Sequence, residues 1–369
     1  MSTEHLSQVL DRLSLNMTGS DCLRFTPHEE ESWLEDKFSQ VPQYLYRVSV
    51  HNKSDGETTK IWAKSKDAKK ANPGREINIL DGDRTEMADM LSRHLWWEGG
   101  SPSNLLSWTS SLLFALQYVF YRHHRDHVAL EDITLFIVNT TTFQRGAFVQ
   151  DLDLISIFSR FSYSLRSMER LRTERTGDFS KRFYFGEYLS QGALKIEGKC
   201  SSATGKEIID KGLFFLRPEL NDSWKHDLGW ANRVLKLRKC FAHEPGHESK
   251  EDLELQVALA FGIGSLFGSD WEPPIAASLL GLRRRSARDV DAICKASIKL
   301  AAGKTETPAI IFIVMTFLGW DIIYFRSNAD LRALPEVQQF ETIMLALVGP
   351  FHIRYMLGEA TTVYYLPSR

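Results

Sequence analysis

The sequence predicts an α+β fold followed by an all-α region, and two observations support this. Up to about residue 217, short runs rich in Val, Ile, Tyr and Phe are typical of β-strands and alternate with helical patterns. From about residue 218, long segments with apolar residues at helical spacing dominate. Because domains typically run to about 100–200 residues, we expect three units, a helical leader at 1–40, an α+β domain at 41–217 and an all-α domain at 218–369.

Within the α+β domain, local patterns predict the elements in chain order. Runs of aromatic and β-branched residues predict strands at Pro42–Val50, Asp132–Thr141, Phe183–Ile196 (with a break at Gly192) and Gly212–Pro218. Helical spacing predicts helices at Thr85–Trp97, Leu112–Phe120 and Asp151–Phe158. The polar, Lys-rich residues 51–76 predict an exposed loop.

In the second half, helical patterns cover residues 251–267, 273–282 and 289–303. The very apolar segment Pro308–Phe325 is interrupted by Asp321. It is also shorter than the ~20 apolar residues of a membrane span. We interpret it as a buried helix or a core strand, and we rank association with a membrane below both.

Composition excludes several classes of function. A net charge of −2, with 25% charged residues, gives no general attraction to nucleic acid or to a membrane surface. The four cysteines are widely spaced and form no CxxC pair, which argues against a disulfide framework and a cysteine-based zinc site. The first residues lack the pattern of a signal peptide. We therefore expect a cytoplasmic protein.

Three short motifs fail on physical grounds. His243–His247 matches HExxH, but Pro245 breaks the helix that would place both His side chains on one face, so we expect a polar loop and no metal. Ile298–Thr305 and Cys200–Glu207 contain a GK pair but lack the first Gly of a phosphate-binding loop. We reject all three as ligand sites.

A more informative set occurs in the first half. Arg47 lies in a predicted strand, the hydroxyl-rich run Ser107–Ser111 precedes an apolar helix, and Glu187 lies in a strand that ends at a turn. Each feature has an ordinary explanation, namely a surface ion pair, a helix cap and a solvated carboxylate. Their order along the chain is what makes the combination informative.

The three segments "LYRV", "SWTSSLLFALQY" and "EYLSQGAL" resemble the ADP-ribosyltransferase fold of the Arg–Ser–Glu class, over roughly residues 42–217. They are also similar to an uncharacterised domain family of filamentous fungi related to that fold. The resemblance implies split antiparallel sheets with flanking helices, NAD as the substrate, and either transfer of ADP-ribose, for example to a protein acceptor, or NAD hydrolysis. It implies Arg47, Ser107 and Glu187 as the catalytic residues. It further implies that NAD is bound by Arg47, Ser107, Trp108, Thr109 and Ser110.

The residue types suit that chemistry. Arg binds phosphate oxygens through two parallel charge-assisted hydrogen bonds, and hydroxyls position a ribose or an amide. A carboxylate stabilises the positive charge that develops on the ribose when nicotinamide leaves. In the run Ser107–Ser111, either Ser107 or the pair Thr109 and Ser110 takes the leading role, and we favour Ser107. Trp108 either stacks on a ring of NAD or lies in the core.

One position departs from the family pattern. Two residues before Glu187, where many such transferases carry a Gln or Glu that orients the acceptor, this chain has Phe185. Phe cannot accept a hydrogen bond at that place, which favours NAD hydrolysis or an unusual acceptor. The alternative hypothesis is a binding or scaffold protein that keeps the fold without catalysis.

Overall fold

The computed structural model describes residues 21–50, 57–70, 77–98, 102–173, 183–222, 229–246, 248–304 and 334–356. These residues form nine strands, which are β1 (Tyr44–Val50), β2 (Glu57–Thr58), β3 (Trp62–Lys64), β4 (Leu105–Thr109), β5 (Ile133–Asn139), β6 (Val149–Gln150), β7 (Glu187–Gln191), β8 (Ala193–Lys195) and β9 (Cys200–Thr204). All the described strand pairs are antiparallel. The strands form a six-stranded sheet in the order β6-β7-β4-β1-β5-β9 and a three-stranded sheet in the order β2-β3-β8.

The α-helices of the first part are α1 (Leu34–Phe38), α2 (Lys66–Lys69), α3 (Arg84–Leu95), α4 (Leu112–Asp126), α5 (Asp151–Phe158), α6 (Tyr163–Thr173), α7 (Gly205–Asp210) and α8 (Leu213–Leu216). Those of the second part are α9 (Glu219–Asp222), α10 (Trp230–Arg238), α11 (Lys250–Gly264), α12 (Glu272–Leu280), α13 (Ala287–Lys304) and α14 (Pro335–Met356). The architecture is therefore α+β, with antiparallel sheets and a helical C-terminal region, as the sequence predicted. No helix of the described residues is long and apolar enough to cross a membrane.

The two sheets are linked where β7 passes into β8. Gly192 lies between them with φ +60°, a left-handed conformation that only Gly adopts without strain. Its amide donates to the carbonyl of Asn104 and its carbonyl accepts from Ser65. This bend moves the chain from the large sheet to the small one, at the break that the sequence predicted.

The strands β1 and β4 are neighbours in the large sheet but separate along most of their length. Between them the ladder contains one pair, Tyr46 with Thr109, whereas β1 pairs with β5 through seven consecutive residues. Beyond Tyr46 the edge of β1 that faces β4 therefore lies open, and the large sheet is divided at this point.

Alternation along the strands gives the large sheet two apolar faces. On one face, Leu45, Trp108 and Val138 pack against Ala63 and Leu194 of the small sheet. On the other face, side chains of β1, β5 and α4 join the largest apolar cluster, which extends into α11, α12, α13 and α14. A third cluster is formed by β4, β6 and β7 with α3, α5 and α6.

The predicted strand at Gly212–Pro218 is wrong, because this segment forms the short helix α8. Leu213 and Leu216 are three residues apart and buried, whereas Phe215 is 84% exposed. A strand would have placed Leu213 and Phe215 on the same face. Gly212 starts the turn with φ +108°.

The predicted loop at 51–76 is also wrong for residues 57–70, which form β2, β3 and α2. Ala63 is buried and pairs with Leu194 of β8, and the Ser65 hydroxyl caps α2 by accepting from the Ala68 amide. The apolar segment Pro308–Phe325 and residues 1–20 of the leader lie outside the described residues. The domain boundary near residue 217 stays a prediction, and the largest apolar cluster contains residues from both sides of it, such as Ile137 and Ile275.

Candidate functional site

A cleft of about 550 Å³ opens where β1 and β4 separate. Its lining includes the consecutive residues 46–50 of β1 and all of β4, 105–109. In a paired strand only alternate side chains face one side of the sheet. Consecutive residues from both strands therefore indicate that the cleft lies between the strand edges themselves. Side chains of α3, α4, α6, β7 and α10 complete its wall.

Arg47 spans the gap between the separated strands. Its Nη1 donates to the carbonyl oxygen of Ser107 at 2.8 Å, and its Nε donates to Thr58 Oγ1 at 2.9 Å. The guanidinium also lies 5.9 Å from the centre of the Trp108 ring. Arg47 thus contributes positive charge to the cleft and connects β1, β4 and the small sheet.

Ser107 lies at the middle of β4, and its hydroxyl is 2.9 Å from Nε2 of His94 on α3. The other ring nitrogen of His94, Nδ1, lies 2.9 Å from the hydroxyl of Ser103. Ser103 Oγ in turn accepts from the Leu105 amide at 3.2 Å. The result is a chain of three polar side chains, Ser103, His94 and Ser107, along one wall of the cleft.

The environment of His94 keeps its ring neutral. Removal from water lowers the pKa of His94 to about 4; Glu187 opposes this shift, whereas the positive charges of Arg47, Lys66 and Arg172 reinforce it. At neutral pH one ring nitrogen therefore carries a lone pair that can accept a hydrogen bond or a proton.

Glu187 begins β7 and faces the same side of the sheet as Ser107, because Thr109 pairs with Glu187 and Ser107 pairs with Leu189. Its Oε2 accepts from Arg172 Nη2 at 2.7 Å. Glu187 Oε1 has no hydrogen-bond partner among the residues that the structure describes. The carboxylate is thus anchored through one oxygen, and the other is buried without a partner among these residues.

Arg172 lies between two carboxylates, since it also donates to Asp151. The side chains of Arg172 and Asp151 are 7% and 0% exposed, and that of Glu187 is 13% exposed. Burial raises the pKa of Asp151, although the charge of Arg172 opposes the shift. Two acidic groups and one cation therefore form a largely buried network, of which Arg172 and Glu187 line the cleft.

Two residues expected to bind a cofactor have side chains that are engaged elsewhere. Trp108 is 1% exposed, its Nε1 donates to Ser190 Oγ at 2.9 Å, and its ring packs edge-on against Phe148. Its indole is part of the core on the opposite face of the sheet, which corrects the expectation that it stacks on a ligand. Ser110 is also corrected, because its side chain faces Gly186 and does not line the cleft.

Thr109 lines the cleft, but its hydroxyl forms hydrogen bonds with backbone groups. It donates to the Phe185 carbonyl at 2.7 Å and accepts from the Ser111 amide at 3.0 Å. Ser111 caps α4 by accepting from the Phe114 amide, as a helix cap does. Within the run 107–111, the structure therefore leaves Ser107 as the hydroxyl that faces the cleft.

The helical region holds this segment in place through a buried ion pair. Ser111 donates to Glu336 Oε1 at 2.6 Å, and Glu336 also accepts from Arg238 Nη2 at 2.6 Å. Arg238 Nη1 donates to the carbonyl oxygen of Tyr184, just before β7. Residues of α10 and α14 thus fix the positions of both α4 and β7.

Aromatic rings also line the cleft. Phe185 stacks on Phe114 at 5.3 Å between ring centres, and Trp230 stacks on Trp97 at 5.0 Å. Trp97 is 42% exposed and has φ +58°, a conformation that is rare for a bulky residue. These rings offer flat apolar surface near the polar groups of β4 and β7.

Sequence inspection missed His94, Arg172 and Asp151. His94 and Arg172 follow the helical patterns of α3 and α6 as ordinary polar residues, and nothing local marks them. Asp151 resembles the acidic first residue of a helix. Their hydrogen bonds join residues that are 9 to 21 positions apart in the chain. Only the folded structure therefore reveals them.

Metal binding finds no support among the described residues, which contain no group of three or more His, Cys, Asp or Glu placed to hold an ion. The segment 243–246 forms an irregular loop between α10 and α11, as expected. Gly303 and Lys304 end helix α13, so they form no phosphate-binding loop.

Residues 40–194 match one family model, Domain of unknown function (DUF7587). The matched segment begins before β1 and ends within β8, so it contains Arg47, His94, Ser107 and Glu187. No curated protein and no solved structure matches the chain. The family match therefore covers the part of the chain that carries most of the cleft.

Proposed function

We propose that this cleft binds NAD and cleaves the bond between nicotinamide and ribose. The observation that carries the proposal is the meeting of Arg47, Ser107 and Glu187 around one cleft, although they are 60 and 80 residues apart in sequence. The volume of about 550 Å³ is within the range of about 300–1,000 Å³ that is usual for small-molecule sites.

The polar groups match the parts of such a substrate. Positive charge from Arg47 suits the pyrophosphate, and the hydroxyl of Ser107 suits a ribose or an amide. Glu187 is one of the residues that line the cleft, and a ribose hydroxyl would donate to its carboxylate. The carboxylate would stabilise the cationic ribose that forms as nicotinamide leaves.

The aromatic wall suits the flat rings of a dinucleotide. Stacked or edge-on rings 4.5–7 Å apart are favourable by roughly 0.5–1.5 kcal/mol. The pair Trp97 and Trp230 and the pair Phe114 and Phe185 lie within that range. Phe185 is itself packed in this cluster, which explains why this chain has no polar acceptor-orienting group there and favours water or an unusual acceptor.

A binding or scaffold protein without catalysis is the second candidate, and one observation favours it. Glu187 is already paired with Arg172 at 2.7 Å, and a carboxylate neutralised in this way stabilises a developing cation less than an unpaired one. The two candidates differ in one property, which is whether bound NAD is broken down.

The test measures free nicotinamide after incubation of the purified protein with NAD. We expect release by the wild type and a loss of about 10²–10³-fold for Glu187→Gln, the cost of one well-placed electrostatic group. Glu197→Gln is the matched control, because Glu197 is an exposed residue just after β8 whose carboxylate pairs with Lys195.

A thermal shift with NAD separates the two candidates. Stabilisation by NAD together with nicotinamide release supports the enzyme. If NAD stabilises the wild type but no nicotinamide is released, the binding-protein hypothesis is supported. If NAD causes neither stabilisation nor release, NAD is rejected as the ligand.

A further inference from the structure

We propose that His94 is the proton acceptor of this cleft and that it takes the proton through Ser107 from the water or hydroxyl compound that attacks the ribose. This inference rests on the proposed function, because it assigns a role within the same reaction. It adds a residue that the order of motifs in the sequence does not indicate.

The geometry of the relay is the first support. The Ser107 hydroxyl lies 2.9 Å from His94 Nε2, and His94 Nδ1 lies 2.9 Å from Ser103 Oγ. With Nδ1 protonated and donating to Ser103, the lone pair of Nε2 is directed at Ser107. The acceptor capacity of Ser103 permits this, since a hydroxyl oxygen can accept both this bond and the one from the Leu105 amide.

The charges around His94 are the second support. Removal from water lowers the pKa of His94, Glu187 of β7 raises it, and Arg47 of β1, Lys66 of α2 and Arg172 of α6 lower it further. The ring is therefore neutral before the reaction. Once it accepts a proton, the nearby Glu187 carboxylate stabilises the imidazolium.

The proton balance requires such an acceptor. The bond between ribose C1′ and the nicotinamide nitrogen breaks, and its electron pair leaves with nicotinamide. In the same step an oxygen of water or of a hydroxyl compound forms the new bond to C1′, so the loss of its proton belongs to the step that releases nicotinamide. The proton passes from that oxygen to Ser107 Oγ while the Ser107 proton moves to His94 Nε2. His94 finally releases this proton to solvent.

A weakly basic His94 is sufficient for this step. An oxygen that is forming a bond to a cationic carbon becomes positively charged and strongly acidic, so a weak base is sufficient to take its proton in that step. Glu187 is less suited to this task, because Arg172 holds it at 2.7 Å. Phe185, which occupies the acceptor-orienting position, offers no basic group.

His94→Gln is the main test. Gln can accept the hydrogen bond from Ser107 but cannot take up a proton. We expect nicotinamide release to fall by about 10²–10⁴-fold, the usual contribution of acid–base catalysis. Ser107→Ala should fall to a similar level, and the double variant should be no slower than either one, because residues that act as a unit are not additive.

Two further measurements guard against a folding defect. NAD-induced thermal stabilisation should be retained in His94→Gln. For His94→Ala, added imidazole should restore release in a dose-dependent way, whereas acetamide, which is not basic, should not. His124→Gln is the matched control, because His124 is an exposed residue on α4 that lies outside the cleft.

The outcomes distinguish failure of the role proposed for His94 from failure of the proposed function. Wild-type rates in His94→Gln, or no effect of imidazole on His94→Ala, would overturn the role of His94 while the proposed function stands. If the wild type releases no nicotinamide, the proposed function fails and this inference fails with it.

Discussion

Removing the charge of Arg172 tests whether its ion pairs with Asp151 and Glu187 are buried and stabilise the fold. In Arg172→Met, a side chain of similar length remains, but Asp151 and Glu187 lose the cation between them. Arg172 and Asp151 are 7% and 0% exposed, and Glu187 is 13% exposed. The variant therefore leaves two carboxylates close together in a poorly solvated place.

The expected cost follows from this burial. Removing one partner of a buried ion pair typically costs about 3–5 kcal/mol, because the other charge is left uncompensated. For a cooperative unit of 150–250 residues, 1 kcal/mol shifts the melting temperature by roughly 2–4 °C. We therefore expect the melting temperature of Arg172→Met to fall by roughly 6–20 °C at pH 7.

The assay is thermal unfolding at several pH values. Without Arg172, the pKa of Asp151 in the folded state rises still further above its unfolded value. A group whose folded pKa is raised favours the folded state at low pH and loses that contribution as the pH rises. The difference in melting temperature between the wild type and Arg172→Met should therefore shrink from pH 7 to pH 5.

Two comparisons make this test decisive. Arg170→Met, on the same helix but exposed, should change the melting temperature little at any pH. Adding Asp151→Asn to Arg172→Met should recover part of the loss, because one of the two buried charges is then absent. A loss below about 1 kcal/mol at pH 7, or one that is constant between pH 7 and pH 5, would refute the reasoning.

Three other variants test the packing around the cleft by thermal unfolding. Gly186→Ala should cost roughly 1–2 kcal/mol, mainly because Gly186 has φ +68°, a left-handed conformation that is strained for a residue with a Cβ. An unchanged melting temperature would contradict this backbone conformation. Trp108→Phe should lower the free energy of unfolding by about 1–3 kcal/mol, because the buried hydrogen bond to Ser190 is lost. Stabilisation by NAD should be unchanged. Weaker stabilisation by NAD would indicate that Trp108 contacts the ligand. Arg238→Met should lower the free energy of unfolding by about 3–5 kcal/mol, because the buried Glu336 carboxylate loses its cation. The double variant with Glu336→Gln should lose less. Equal losses for the two variants would contradict a cost from an uncompensated buried charge.

The sequence was sufficient to predict three of the six strands of the large sheet, β1, β5 and β7, and the reason is local. The strands β1 and β5 are rich in aromatic and β-branched residues, which favour a strand over a helix. The segment at α8 misled because it is short and apolar, and for such runs periodicity cannot distinguish a strand from a helix. Its positive-φ Gly212 and the exposed Phe215 become meaningful only with the tertiary packing in view.

The candidate site was predicted in part, for a related reason. Arg47, Ser107 and Glu187 were indicated by their residue types and order, and the structure brings them to one cleft. The sequence cannot show that Glu187 is paired with Arg172, because that contact depends on how α6 packs beside β7. For Trp108, the alternation of side chains along β4 places the indole on the face opposite Ser107.

Hydrogen–deuterium exchange with and without NAD tests the central claim most directly, because it locates the ligand on the chain. The account predicts that NAD slows exchange in the segments that line the cleft, at residues 46–50, 93–98, 105–109 and 183–187, and leaves exchange in α13 unchanged. Protection confined to other segments, or no protection at saturating NAD, would contradict it.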